Sequence, residues 1–298
     1  MLGTPDPIAF TILGLEVRWY ALLIVSALLL GFYILRVKLK KNDLSTELLY
    51  DIFIAIVPIA ILCARLYYVA FELDYYLKHP SEILAIWNGG LAIHGAILGG
   101  LFGLYILCRK KKLLILQILD IIAPSLILGQ AIGRWGNYFN MEAHGRITDV
   151  PWAITVYDNT LGMIKVHPTF LYESLWDFMV FFVLMFVIEK KKKYYGEVIC
   201  WYSILYSIGR CYIEGLRTDS LYFMGLRIAQ LVSLLGVLIG IVLLIIIKKK
   251  HTPIEELKKI AEKADKAKNE EIDTKVANFK QATDDNTNKS NGKDIDEN

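Results

Sequence analysis

The chain has 298 residues, 55% of them hydrophobic and 21% charged, with a formal net charge of +3 at pH 7. Its mean hydropathy of +0.42 is above the range of soluble domains of this length and points to a multispanning membrane protein. So small a net charge argues against a nucleic-acid partner. Cys63, Cys108, Cys200 and Cys211 lie in or beside apolar runs with no CxxC pair, which argues against a disulfide framework or a zinc site.

The N-terminal stretch MLGTPDPIAF lacks the basic region of a signal peptide, so the first apolar run is expected to stay in the mature protein. Apolar runs near the length that crosses a bilayer predict seven spans, at about 19–36, 48–70, 90–108, 113–132, 170–188, 196–213 and 225–247. The fourth is the least apolar and carries Gln117, Asp120 and Pro124. Basic clusters RVKLKK (36–41), RKKK (109–112), EKKKK (189–193) and KKKH (248–251) follow the first, third, fifth and seventh spans. All four fall on one side, which the positive-inside rule makes cytoplasmic, with the N-terminus outside. The fold expected is all-α and polytopic. Residues 149–168, with Pro151 and a turn-like DNTLG, predict a small outside hairpin within a cap over about 137–168. Residues 1–250 thus form a membrane domain, and 251–298 a polar cytoplasmic tail whose last part has little to bury. No Walker motif, GxSxG elbow, HExxH or internal repeat occurs.

Threaded this way, the unusual polar residues gather at the outer ends from five places in the chain. Tyr20 opens the first span, and Asn88, Gly89, Gly90 and His94 open the third. Arg134, Asn137, Asn140, Glu142 and Gly145 close the fourth, in GQAIGRWGNYFNMEAHG. His167, Tyr172 and Glu173 open the fifth, and Tyr206, Arg210, Glu214 and Arg217 close the sixth. Arg134 goes against the trend of the basic anchors, and intramembrane charge faces a cavity or a partner, so it is expected to bind something. The span-six set follows spacings of four, four and three and shares one helical face. If Arg210 pairs with Glu214, Arg134 and Arg217 still leave positive charge for an anion. His94 sits among Gly95, Ala96, Gly99 and Gly100, where close helix packing is an alternative to a role in chemistry. His144 and His167 with Glu142 or Glu173 lack ligand spacing on one helix, so no metal is expected. Arg65 and Asp120 lie inside spans, could pair with each other, and read as structural.

An arginine-rich, glycine-supplied site at the headgroup level suits a phospholipid, because the guanidinium binds phosphate through a planar fork. No serine–histidine pair or cysteine in a polar setting offers a nucleophile of the protein's own. An enzyme built this way would orient two substrates and stabilise a leaving phosphate. A transporter would instead show inverted repeats and acidic residues near the midplane.

These motifs resemble the prolipoprotein diacylglyceryl transferase family. GRWGNYFNMEAHG (133–145) matches its hallmark run with Tyr138 in place of phenylalanine, and GGLAIHGA matches its histidine motif with Ala96 in place of a glycine. HPTFLYE (167–173) and YSIGRCYIEGLR (206–217) match two further motifs. The resemblance implies a seven-span enzyme of the bacterial cytoplasmic membrane that needs no cofactor. Its reaction moves the diacylglyceryl group of phosphatidylglycerol to the lipobox cysteine of a preprolipoprotein signal peptide, releasing glycerol phosphate. It implies that Arg134 and Arg210 hold the phosphate. Asn137, Asn140, Glu142, Gly145, His167, Glu173, Glu214 and Arg217 would shape the substrate site, and Tyr20, His94 and Tyr206 would orient substrates, with His94 a candidate for the thiol proton.

Overall fold

The computed structural model describes residues 5–12, 14–158, 160–260 and 263. An antiparallel hairpin, β1 (Ile8–Ile12) and β2 (Leu15–Arg18), runs directly into α1 (Trp19–Lys41). α2 (Leu48–Phe71) follows, then a short α3 (Leu73–Tyr76), 3₁₀ turns at Pro80–Glu82 and Ile86–Asn88, α4 (Ile93–Lys111) and α5 (Ile115–Phe139). A second hairpin, β3 (Ile154–Asp158) with β4 (Gly162–Val166), joins α5 to α6 (Thr169–Phe182), so the hairpin expected over 149–168 forms. α6 widens into a π-helical stretch, Val183–Ile188, and ends as α7 (Glu189–Lys191). α8 (Glu197–Glu214), a two-residue ladder of β5 (Tyr222–Phe223) and β6 (Leu226–Arg227), and α9 (Ile228–Lys250) complete the order.

Five of these helices are long and apolar enough to cross a membrane: α1, α2, α5, α6 through α7, and α9. The protein is a mostly helical, multi-pass membrane protein. The runs expected as the third and sixth spans are helical as α4 and α8 but less apolar. α4 carries His94, four glycines and a basic end, and α8 carries Glu197, Arg210 and Glu214. α5 also runs to Phe139, further than the expected span at 113–132, so Arg134 and Asn137 project from its last turns rather than from a loop.

Contacts at both ends show that successive long helices alternate in direction. At one end Trp19 stacks on Phe139 at 5.1 Å, Arg134 meets Glu173, and Arg227 donates to the Glu214 carbonyl. At the other, Lys111 pairs with Asp51 and Lys38 with Glu189. α4 lies tight on α2 because its glycines face it. A Cβ on Gly95 would stand 2.4 Å from the Cys63 carbonyl oxygen, and one on Gly99 2.5 Å from Cys63 Cβ. Large exposed apolar residues such as Leu29, Leu234 and Leu238 face outward, where hydrocarbon would cover them.

Arg65 and Asp120 do not pair with each other. Arg65 is 2% exposed and donates to the carbonyls of Glu82, Ile83, Gly89 and Gly90, at 2.6 to 3.0 Å, so it pins the segment between α2 and α4. Asp120 is fully buried and accepts from the backbone N–H groups of Gly196 and Ile199, at 2.8 and 2.9 Å, capping the start of α8. Lys192 lies 3.8 Å from Asp120 and 3.2 Å from Glu189, and Glu189 holds Lys38 at 2.8 Å. This network ties α1, α5, α7 and α8 together.

Residues from Lys250 onward form a second unit, in which helix resumes at Ile254. The tail expected at 251–298 lies mostly outside the described residues.

Candidate functional site

The floor of the site is backbone. Gly145 N–H donates to the His167 carbonyl at 2.9 Å, His167 N–H to that of Arg146 at 3.0 Å, and Arg146 N–H to that of Leu216 at 2.9 Å. Gly145 is there because a Cβ would stand 2.7 Å from His167 Cβ. This stitching fixes the loop after α5 against the start of α6 and the end of α8. Thr169, fully buried at the first position of α6, donates to the Ala143 carbonyl and locks the same corner.

Above this floor the arginines converge on Glu173, which is 4% exposed. Arg134 Nε lies 2.5 Å from Glu173 Oε2, and Arg210 Nη1 2.6 Å from Oε1. Arg210 Nη2 also reaches Glu214 Oε2 at 2.7 Å, so the pairing read from the spacing of α8 forms. Arg217 stands 3.7 Å from Glu173 and 3.9 Å from Glu214, and gives its strong bonds to Asp219, at 2.6 and 2.9 Å. Three arginines from α5, α8 and the segment beyond α8 therefore surround two buried glutamates, a charge-assisted cluster. The excess positive charge expected on Arg134 and Arg217 is smaller than the sequence suggests, because Glu173 and Asp219 meet both. Asp219 lies outside the spanning helices. Burial pushes its carboxyl up, but the hydrogen bond and charge of Arg217 outweigh this and hold it below the ordinary aspartate range.

Arg134 leaves part of its fork free. Its Nη2 donates only a long bond, 3.4 Å, to the Tyr206 hydroxyl, and its Nε, though close to Glu173, makes no aligned hydrogen bond. The side chain is 22% exposed, and among the described residues its Nη1 has no hydrogen-bond partner. Tyr206 stacks on Tyr202, whose hydroxyl donates to Gln130 Oε1 at 3.1 Å. Asn137 and Asn140 form the rim, donating to Glu142 Oε1 at 3.4 and 3.3 Å. His167 Nδ1 lies 3.1 Å from the Tyr172 hydroxyl, which also accepts from Trp152 Nε1 at 2.7 Å. Tyr20, 44% exposed, lays its ring over Gly136, where a Cβ would stand 2.5 Å from the ring.

Of the residues expected in the site, Arg134, Glu173, Tyr206, Arg210, Glu214 and Arg217 come together in one cluster. Asn137, Asn140, Glu142, Gly145 and His167 form its floor and rim, and Tyr20 on α1 packs over Gly136, two residues after Arg134 on α5. His94 is not drawn in by any bond among the described residues. It is exposed on α4 beside the Tyr67 ring, at 6.0 Å, while the glycines next to it serve packing. His144 lies on the floor, its carbonyl accepting from Thr218. Sequence reasoning missed Asp219, Gln130, Tyr202 and Asp177. For Asp177 a signal existed, since it follows Glu173 by one helical turn inside the apolar run LWDFMVFF.

Beside the cluster lies an apolar cavity of about 340 Å³ between α1, α2 and α5, lined by residues such as Ile24, Leu28, Phe53, Ile56 and Leu126. Gly129 and Gly133 also line it, one turn apart and leading to Arg134, and a Cβ on either would meet nothing within 4 Å. These two glycines keep space open rather than let helices touch.

The family model for prolipoprotein diacylglyceryl transferase matches residues 7–246. A phosphatidylglycerol–prolipoprotein diacylglyceryl transferase of Finegoldia magna is 48% identical over 252 residues, covering 84% of this chain and 99% of the relative. Those of Clostridioides difficile and Clostridium perfringens are 45% and 47% identical, covering 83% and 84% of this chain and 97% and 98% of theirs.

Proposed function

The chain belongs to the prolipoprotein diacylglyceryl transferase family, and from that membership and the arginine cluster we propose that it lipidates preprolipoproteins. The diacylglyceryl group of phosphatidylglycerol passes to the thiol of the lipobox cysteine in the signal peptide. The bond from the glyceryl carbon to the phosphate oxygen breaks, a carbon–sulfur bond forms, and the thiol proton ends on the released glycerol phosphate.

The observation that carries this reading is the half-used guanidinium of Arg134. Glu173 holds it from behind while its outer N–H groups stay available, the arrangement that a phosphodiester needs for a planar fork. Arg210, held by the same Glu173, adds charge as the leaving phosphate develops its own. The apolar cavity that runs from Gly133 suits an acyl chain. Asn137, Asn140 and Glu142 at the rim offer donors and an acceptor to the glycerol headgroup, and Tyr20 and Tyr206 flank the path to Arg134. His94 stays a candidate for the thiol proton, reached only if the incoming peptide bridges from α4 to the cluster.

Residues 1–250 are proposed as a seven-span catalytic domain of the bacterial cytoplasmic membrane, with α4 and α8 as the two polar spans and 137–168 as an outside cap. The clustering of Lys38, Lys111 and Lys192 at the end away from Arg134 supports an outside N-terminus and a cytoplasmic tail over 251–298. A lipobox cysteine follows an apolar segment and would emerge on the arginine side. Purified protein, phosphatidylglycerol and a synthetic lipobox peptide test the reaction by mass spectrometry. The diacylglyceryl mass should appear on the peptide cysteine, and not on a Cys→Ser peptide.

A further inference from the structure

Asp177 has no part in the roles assigned so far. It lies one turn from Glu173 on the same face of α6, is 2% exposed, and its Oδ2 has no hydrogen-bond partner. Among the described residues it makes no ion pair, because Arg134 and Arg210 give their close contacts to Glu173 and Glu214. The charged and titratable groups that act on it are Glu173 on α6, Arg134 on α5, and Arg210, Tyr202 and Tyr206 on α8.

A buried carboxylate with an unsatisfied oxygen and no paired cation is costly. The charge of the cluster points the same way. Arg134, Arg210 and Arg217 face Glu173, Glu214 and Asp219, three cations against three carboxylates, so the cluster balances without Asp177. Asp219 is 48% exposed, but it meets Arg217 directly, at 2.6 and 2.9 Å, far inside the range over which salt screens. If Asp177 were ionised, the cluster would carry a net negative charge and would oppose an anionic headgroup.

We propose that Asp177 is a positioning residue held as the neutral acid, and that its neutrality keeps the arginine cluster from opposing a phosphodiester with a net negative charge. The proposal rests on the transferase reading for the identity of the anion. It assigns Asp177 to substrate capture rather than to the bond-breaking step.

The test uses the full-length protein in nanodiscs that contain phosphatidylglycerol. The infrared spectrum of the wild type at neutral pH should contain the carbonyl stretch of a protonated carboxylic acid, absent from Asp177→Asn. That band should bleach as the pH is raised, which tests the wild type alone should the variant fail to fold. In steady-state lipidation of the peptide, Asp177→Asn fixes the neutral state and should keep KM for phosphatidylglycerol within about threefold of wild type. A full charge at this range is worth enough to raise the wild-type KM by about tenfold or more towards alkaline pH, while KM of the variant stays flat and kcat of the two moves together. A spectrum without the band, or a tenfold higher KM in Asp177→Asn at neutral pH, would overturn the proposal. Wild-type protein that never lipidates the peptide would sink the transferase reading instead, and the band is read without turnover.

Discussion

Arg134→Lys keeps the charge and removes the fork, and the structure says what that should cost. In the wild type one guanidinium does two things at once. Its Nε lies 2.5 Å from Glu173, and among the described residues its Nη groups make only a 3.4 Å bond to Tyr206. A lysine ammonium is a single point. Placed against the 4%-exposed Glu173, it is too committed to reach the phosphate, and drawn to the phosphate it leaves Glu173 with Arg210 and the more distant Arg217. Either way one charge-assisted hydrogen bond is lost, worth about 1.5–3 kcal/mol, which is roughly 10- to 150-fold in kcat/KM. The assay is the rate of diacylglyceryl transfer to the lipobox peptide at varied phosphatidylglycerol, with Arg134→Ala as the reference for complete loss. A lysine variant within threefold of wild type would refute the fork, since charge alone would then suffice.

Three further outcomes are expected. Gly133→Leu places a side chain in the apolar cavity where nothing opposes its Cβ. KM for phosphatidylglycerol should rise several-fold while thermal stability holds or improves, because leucine is favoured over glycine in a helix by about 0.8 kcal/mol; an unchanged KM would detach the cavity from the lipid. Gly145→Ala must push His167 away from the 2.7 Å clash, so it should cost about 1–3 kcal/mol and lower activity, seen as a reduced unfolding temperature in detergent and slower transfer. Lys38→Met leaves the buried Glu189 with Lys192 alone, at 3.2 Å. It should destabilise by about 3 kcal/mol with KM unchanged, and a Lys38→Met/Glu189→Leu pair should recover most of the loss in a thermal-unfolding assay.

What the sequence made legible here follows from what one dimension can hold. Helical spacing on α8 is a local property, and it correctly places Arg210 against Glu214. The hairpin at β3 and β4 is local too. Pairing across helices is not local, so the role of Glu173 as the shared anchor of Arg134 and Arg210 is visible only when α5, α6 and α8 meet. The two charges inside spans, Arg65 and Asp120, show the limit most clearly. A sequence reader looks for an opposite charge, yet what a buried charge needs is any well-aimed set of dipoles. Arg65 finds four carbonyls in the segment after α2, and Asp120 finds the free N–H groups that begin α8. Glycine is ambiguous in the same way. Gly95 and Gly99 exist for contact with α2, Gly136 for the ring of Tyr20, and Gly129 and Gly133 for empty space. The same residue thus closes one helix pair and opens a cavity elsewhere. That difference brings an apolar cavity up to Gly133, the residue before Arg134 on α5, and this is the space that the proposed lipid substrate would use.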